Sequence, residues 1–228
     1  MPYLLLIIIL ITLLYLPQFW ARYTFRRYAK ERASIPGSGS ELARHLLDRF
    51  EMAHVKVERI NPGEDHYDPV AKAVRLGADN FDHHSLTAIA VASHEVGHAI
   101  QDHRGETLLG LRGRLLGIAH HFQQLGSVMV LLIPVIILLS RSPVLAGIVV
   151  LIGIASMLVT TLVHLITLPV ELDASFGKAL PVLKQGNYIE PEDETAVRQI
   201  LRAAAWTYVA ASLASLLNVW RWLSVFRR

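Results

Sequence analysis

From Leu125 to Leu168 the sequence carries a single formally charged residue, Arg141. Backbone amides in so apolar a run must be satisfied within the run itself, which leaves helices as the workable solution. Arg141, Ser142 and Pro143 divide it into two blocks, Leu125 to Ser140 and Val144 to Leu168, which read as an antiparallel helical hairpin. Two further blocks flank this pair. Tyr3 to Leu16, extended by Pro17, Phe19 and Trp20, approaches the ~20 residues that a spanning helix needs. Ala203 to Val219 is rich in alanine and ends in Trp220, Arg221, Trp222, Phe226, Arg227 and Arg228, the composition of an interfacial anchor. The expected fold class is therefore a mainly α integral membrane protein, with about four transmembrane helices and a small α+β unit between them. Its expected divisions are a signal-anchor over 1–20, a catalytic section over 21–124, the hairpin over 125–168, a short helical segment over 169–202 and a C-terminal transmembrane or interfacial helix over 203–228.

A cleaved signal peptide is the rival reading of the first block. It requires basic residues before the apolar run and a small-residue cleavage site after it, whereas Arg22, Arg26, Arg27, Lys30 and Arg32 all follow. That basic cluster is expected to lie in the cytoplasm, with the N-terminus outside and the polar section facing inward. Arg227 and Arg228 fit less well, because four spans would put them outside. The net charge of +3 is small and gathered beside apolar blocks, so nucleic acid is excluded as a partner. Cysteine is absent, which removes disulfides, thiolate nucleophiles and cysteine-based zinc knuckles.

Within the polar section, Ser34 to Glu41 reads as a loop, and Glu41 to Glu51 spaces Leu42, Leu46, Leu47 and Phe50 as an amphipathic helix does. His54 to Ile60 alternates as a strand, Asn61 to Pro69 is turn chemistry, and Ala73 to Gly77 is a second strand. Helical periodicity begins at Ser85 and persists past Gln101.

That helix contains "AVASHEVGHAIQ". Residues four apart share a helix face, so His94 and His98 can offer imidazole nitrogens to one ion. Glu95, rotated by ~100°, falls beside the ligands, where a carboxylate can act as general base for a zinc-dependent hydrolysis. A catalytic zinc needs one more protein ligand, with its fourth position left open. Completion by a third histidine would require Gly at 101 and His at 104, where this chain has Gln101 and Arg104. A downstream glutamate is the other solution, and Glu106, Glu171, Glu190, Glu192 and Glu194 are available. Glu106 is too near to fold back easily, and the last three sit in an acidic, solvated run. Glu171 lies among apolar and small residues, and an even number of spans between it and His98 would bring both to one membrane face.

Five ordered motifs now carry a resemblance: "HYDP" (His66 to Pro69), "VRLG" (Val74 to Gly77), "HEVGHAIQ" (His94 to Gln101), "LPVELDAS" (Leu168 to Ser175) and "AAAWTYVAASLASLL" (Ala203 to Leu217). Together they resemble the YugP-like neutral zinc metallopeptidases of bacterial membranes, over essentially the whole chain. Gly77 and Leu172 depart mildly from the family's usual residues. The resemblance implies a multi-pass protein of the bacterial cell membrane with a minigluzincin-like unit, one zinc per chain and a site made of His94, Glu95, His98 and Glu171. A looser likeness runs to membrane endopeptidases with an aspartate four residues after the ligand glutamate. That position here is Ser175, and the acid is Asp173, a candidate partner for a ligand histidine.

Lesser candidates complete the expected site. His164, seven residues before Glu171, is a buried ionisable group on its face. His66, Tyr67 and Tyr208 are candidate donors to an oxyanion. Val74, Arg75, Leu76 and Gly77 are a candidate edge strand for an extended substrate. The expected activity is hydrolysis of peptide bonds in membrane or membrane-proximal proteins, with the lipid bilayer and membrane proteins or further copies as partners. The alternative is a non-catalytic, zinc-containing membrane scaffold.

Overall fold

The computed structural model of the protein describes residues 2–118, 121–122, 124, 128, 142–207 and 209. The chain divides into two compact units. One contains Met1–Leu14, Leu111–Leu168 and Tyr208–Arg228, and the other Tyr15–Gly110 with Pro169–Thr207.

The second unit holds the sheet. Helix α1 (Pro2–Tyr28) enters it at Tyr15. Helix α2 (Gly39–Arg49) begins at a reciprocal cap, in which Ser38 Oγ accepts from the Glu41 amide at 3.3 Å while Glu41 Oε2 accepts from the Ser38 amide at 2.8 Å. Such a cap satisfies two amides that the first turn leaves open, at about 0.5–2 kcal/mol. The predicted Leu42, Leu46 and Leu47 form its buried face. Each fully buried leucine contributes roughly 1.5–3 kcal/mol.

Strands β1 (Lys56–Ile60), β2 (His66–Asp68) and β3 (Ala73–Gly77) form a sheet of order β1-β3-β2. β1 runs parallel to β3, with Lys56 opposite Ala73 and Ile60 opposite Gly77. β2 runs antiparallel, with His66 opposite Arg75 and Asp68 opposite Ala73. On one face of β3, Val74 and Leu76 join the core. Arg75 points the other way and ties the strands together, with Nε donating to Glu58 Oε2 at 2.9 Å and Nη1 to Asp68 Oδ2 at 2.7 Å.

This order corrects two expectations. The stretch 61–69 is not all turn, because its last residues form β2. And Val74, Arg75, Leu76 and Gly77 are not an edge: β3 is the central strand, bonded to β1 on one side and β2 on the other.

Helix α3 (Ala78–Phe81) leads to helix α4 (Leu86–His103), which starts where the sequence predicted, with Ser85 Oγ accepting from the Ala88 amide at 3.1 Å. Gly39 lets the first turn of α2 press on this region: a Cβ there would lie 2.1 Å from the Asn80 carbonyl oxygen and 3.1 Å from that of Ala88. Both obstacles are backbone. Gly39→Ala is therefore expected to cost about 1–3 kcal/mol, read as a lowered Tm in thermal unfolding.

Residues 107–118 are helical, and helix α5 spans Pro143–Leu172. It passes directly into a π-helical segment, Asp173–Ala179, then α6 (Leu180–Gln185), a 3₁₀ turn at Pro191–Asp193 and helical residues 194–207. In the first unit, α5 exposes Val144, Leu145, Ile148 and Leu151.

The expectation of a mainly α integral membrane protein with about four transmembrane helices is overturned. The chain is helical with a small sheet, and among the described residues no helix is long and apolar enough to cross a membrane. The apolar runs that suggested spans do not stand alone as helices: α1 continues through Gln18 to Arg22, Arg26 and Arg27, and α5 continues to Glu171. Almost all of the second block and most of the fourth lie outside the described residues. The cytoplasmic placing of the polar section was read from the basic cluster beside a first span, and no described helix supplies such a span.

Candidate metal centre

α4 is built from small residues, and its Ala88, Ala90, Ala92 and Ala99 are essentially inaccessible. Gly97 takes this furthest. A Cβ at that position would lie 2.7 Å from the backbone oxygen of Ala174, so α4 and the π segment meet backbone to backbone. This close approach delivers Glu171 and Ser175 to the two histidines.

His94 Nε2 lies 3.1 Å from Glu171 Oε2, and His98 Nε2 lies 3.4 Å from the same oxygen. The two imidazoles meet edge to face with centroids 4.7 Å apart. The three ligand atoms all fall within 4.8 Å of one another. A tetrahedral ion with bonds of ~2.0–2.1 Å sets its ligands roughly 3.4 Å apart, so this donor set fits zinc in both spacing and chemistry. The side chains of His98 and Glu171 are 6% and 2% exposed and that of His94 12%, so the centre is reached from the His94 side.

The outer nitrogens of both rings are engaged. Ser175 Oγ lies 3.0 Å from His94 Nδ1, and Gln101 Oε1 lies 2.8 Å from His98 Nδ1. Gln101 Nε2 donates to the Val170 carbonyl at 3.0 Å and to Asp173 Oδ2 at 2.7 Å. Asp173 Oδ2 also accepts from Lys178, whose ammonium pairs with Glu106 Oε1 at 2.9 Å. Asp173 and Lys178 are five residues apart, which is the register of a π-helix. On an α-helix they would diverge.

Burial alone would raise the Glu171 carboxyl, but the His94 and His98 imidazoles that face it outweigh this and hold it well below the usual carboxylate range. Burial likewise opposes ionisation of Asp173, and the bonds from Lys178 and Gln101 overcome it. Glu95 is buried, 7% exposed, next in sequence to His94. Asp65, which feels the Glu95 charge, accepts from the Gly77 amide at 2.8 Å and from Asn80 Nδ2 at 2.9 Å. Burial pushes the Asp65 carboxyl up, and the Glu95 charge adds to that push.

The structure thus gathers His94, His98 and Glu171 into one cluster with Glu95 beside it. Asp173 reaches His98 through Gln101. Tyr67 donates to Asp102 Oδ2 at 2.6 Å, an oxygen that Lys72 also binds, and His66 is exposed with Nδ1 2.7 Å from the Glu64 carbonyl oxygen. Neither is placed at the cluster by these bonds. Tyr208 lies outside the described residues, as does the side chain of His164. The direct partners of the two rings, Gln101 and Ser175, were not among the sequence candidates. Gln101 carried a signal, since it stands three residues after His98 on the same helix.

The sequence model of a family described as "Putative neutral zinc metallopeptidase" matches residues 3–227. "Putative membrane protease YugP" of Bacillus subtilis (strain 168) is 36% identical over 215 residues, covering 91% of this chain and 91% of that protein. No solved structure matches the chain.

Proposed function

This chain belongs to the neutral zinc metallopeptidase family, and on that footing we propose that it is a membrane-associated, zinc-dependent endopeptidase acting on membrane or membrane-proximal proteins. The observation that carries the reading is the convergence of two Nε2 atoms and one carboxylate oxygen, with a buried glutamate next in sequence to the first histidine. His94, His98 and Glu171 would hold the metal. Zinc bound there supplies Lewis acidity for amide hydrolysis. Glu95 is the general base: its carboxylate takes a proton from the attacking water and passes it to the nitrogen of the leaving amine.

β2 is one of the two outer strands of the sheet, and Tyr67 fastens it to α4 through Asp102. An extended substrate backbone adds to β2 and lies along the zinc helix. The name of the Bacillus relative supports association with the bacterial cell membrane, as do the aliphatic side chains that α5 exposes. The non-catalytic scaffold is the weaker reading, because a purely structural zinc site closes its fourth position with protein. Among the described residues the cluster has three donors.

The purified full-length chain is expected to carry near-equimolar zinc and to cleave an unfolded protein substrate. A chelator should abolish cleavage and added zinc restore it. Cleavage that persists in metal-stripped protein would sink the proposal.

A further inference from the structure

The hydrogen bonds around Gln101 admit one assignment of its amide. Nε2 faces the Val170 carbonyl and the Asp173 carboxylate, two groups that can only accept. The amide hydrogens therefore point at them, and Oε1 is left facing His98 Nδ1. That oxygen also can only accept, so Nδ1 must bear the ring proton. The lone pair of His98 then falls on Nε2, the atom 3.4 Å from Glu171 Oε2.

Resting on the zinc-peptidase reading above, we infer that Gln101 is a positioning residue for the metal centre. It selects the His98 tautomer that offers Nε2 to the ion, and through Val170 it fixes that ring against the segment carrying Glu171. Three features make it suited to this. It is 1% exposed, so water does not compete for its bonds. Its amide cannot flip without placing its oxygen against the Val170 carbonyl and Asp173, and Asp173 is itself held by Lys178. It also binds the backbone of the residue immediately before Glu171, so one side chain spans both ligand-bearing segments. Ser175 does less for His94, because a hydroxyl donates or accepts and so imposes no tautomer.

Two measurements on the full-length protein test this. In metal-stripped wild-type protein with ¹⁵N-labelled histidine, His98 is expected to carry a proton on Nδ1. An Nδ1 without a proton would overturn the inference, whether or not any variant folds. The second measurement compares wild type with Gln101→Leu in zinc competition against a chromophoric chelator, and in the visible spectrum of the cobalt-loaded protein. A ~10–100-fold loss of zinc affinity with a changed cobalt spectrum is expected, as is usual when the outer partner of a ligand histidine is removed. An unchanged affinity and spectrum would overturn it. Wild-type protein that takes up no zinc at all contradicts the proposed function instead, and the tautomer measurement still decides the role of Gln101.

Discussion

Glu171→Ala is expected to strip the protein of zinc, while Glu95→Gln keeps the metal and loses the reaction. The first variant removes a carboxylate that both Nε2 atoms face and leaves the imidazoles converging on nothing negative. Apparent binding free energies of ~10–16 kcal/mol for a four-ligand zinc site imply about 3 kcal/mol per ligand, or a loss of roughly 100-fold or more in affinity. The second variant leaves every donor in place and removes only the base, so turnover should fall by about 10²–10⁴-fold at unchanged zinc content. Metal analysis and a peptide-cleavage assay on the same preparations separate the two. Full zinc occupancy in Glu171→Ala would remove Glu171 from the centre, and native turnover in Glu95→Gln would remove the base.

The second large effect is expected at Gly97, which contributes no side chain to the site. Its Cβ would meet the oxygen of Ala174 at 2.7 Å and its carbonyl carbon at 3.3 Å. Backbone on the far side cannot rotate away as a side chain would. Gly97→Ala must therefore push the π segment off α4, at a cost of about 1–3 kcal/mol, with Tm falling by roughly 2–4 °C per kcal/mol in a chain of this size. Because Ala174 lies between Glu171 and Ser175, the displacement is carried straight to the ligands, and zinc affinity should fall together with Tm. Gly110→Ala is the control: nothing lies within 4 Å of its Cβ. There the substitution should be neutral or stabilising by up to about 1 kcal/mol. Equal behaviour of the two variants would show that the close approach of α4 and the π segment does not matter.

The parts of this fold that could be read from sequence are those fixed by one local period. Leu42, Leu46 and Leu47 gave α2 its buried face, Ser85 marked the start of α4, and His94 and His98 shared a face because four residues make about one turn. The parts that were missed depend on pairing or on a different period. Nothing in Val74 to Gly77 reveals that β3 takes neighbours on both sides, since the choice is made by residues as distant as Lys56. β2 is only three residues long and is flanked by turn formers, so it was hidden in its own loop. The spans were misjudged for a related reason: hydropathy reports where a run is apolar, not where the helix containing it ends.

Asp173 and Ser175 show what the π segment means for comparing relatives. A π turn takes in one more residue than an α turn, so side chains after Asp173 face about one residue away from where a regular helix would put them. In this chain the hydroxyl four places after Glu171 serves His94, and the acid two places after it serves His98 through an amide. A comparison by sequence position alone would look for both outer partners at one fixed spacing from Glu171, whereas here the two rings are reached by different spacings. Outer partners in such chains are better matched by the ring nitrogen they reach than by their place in the alignment.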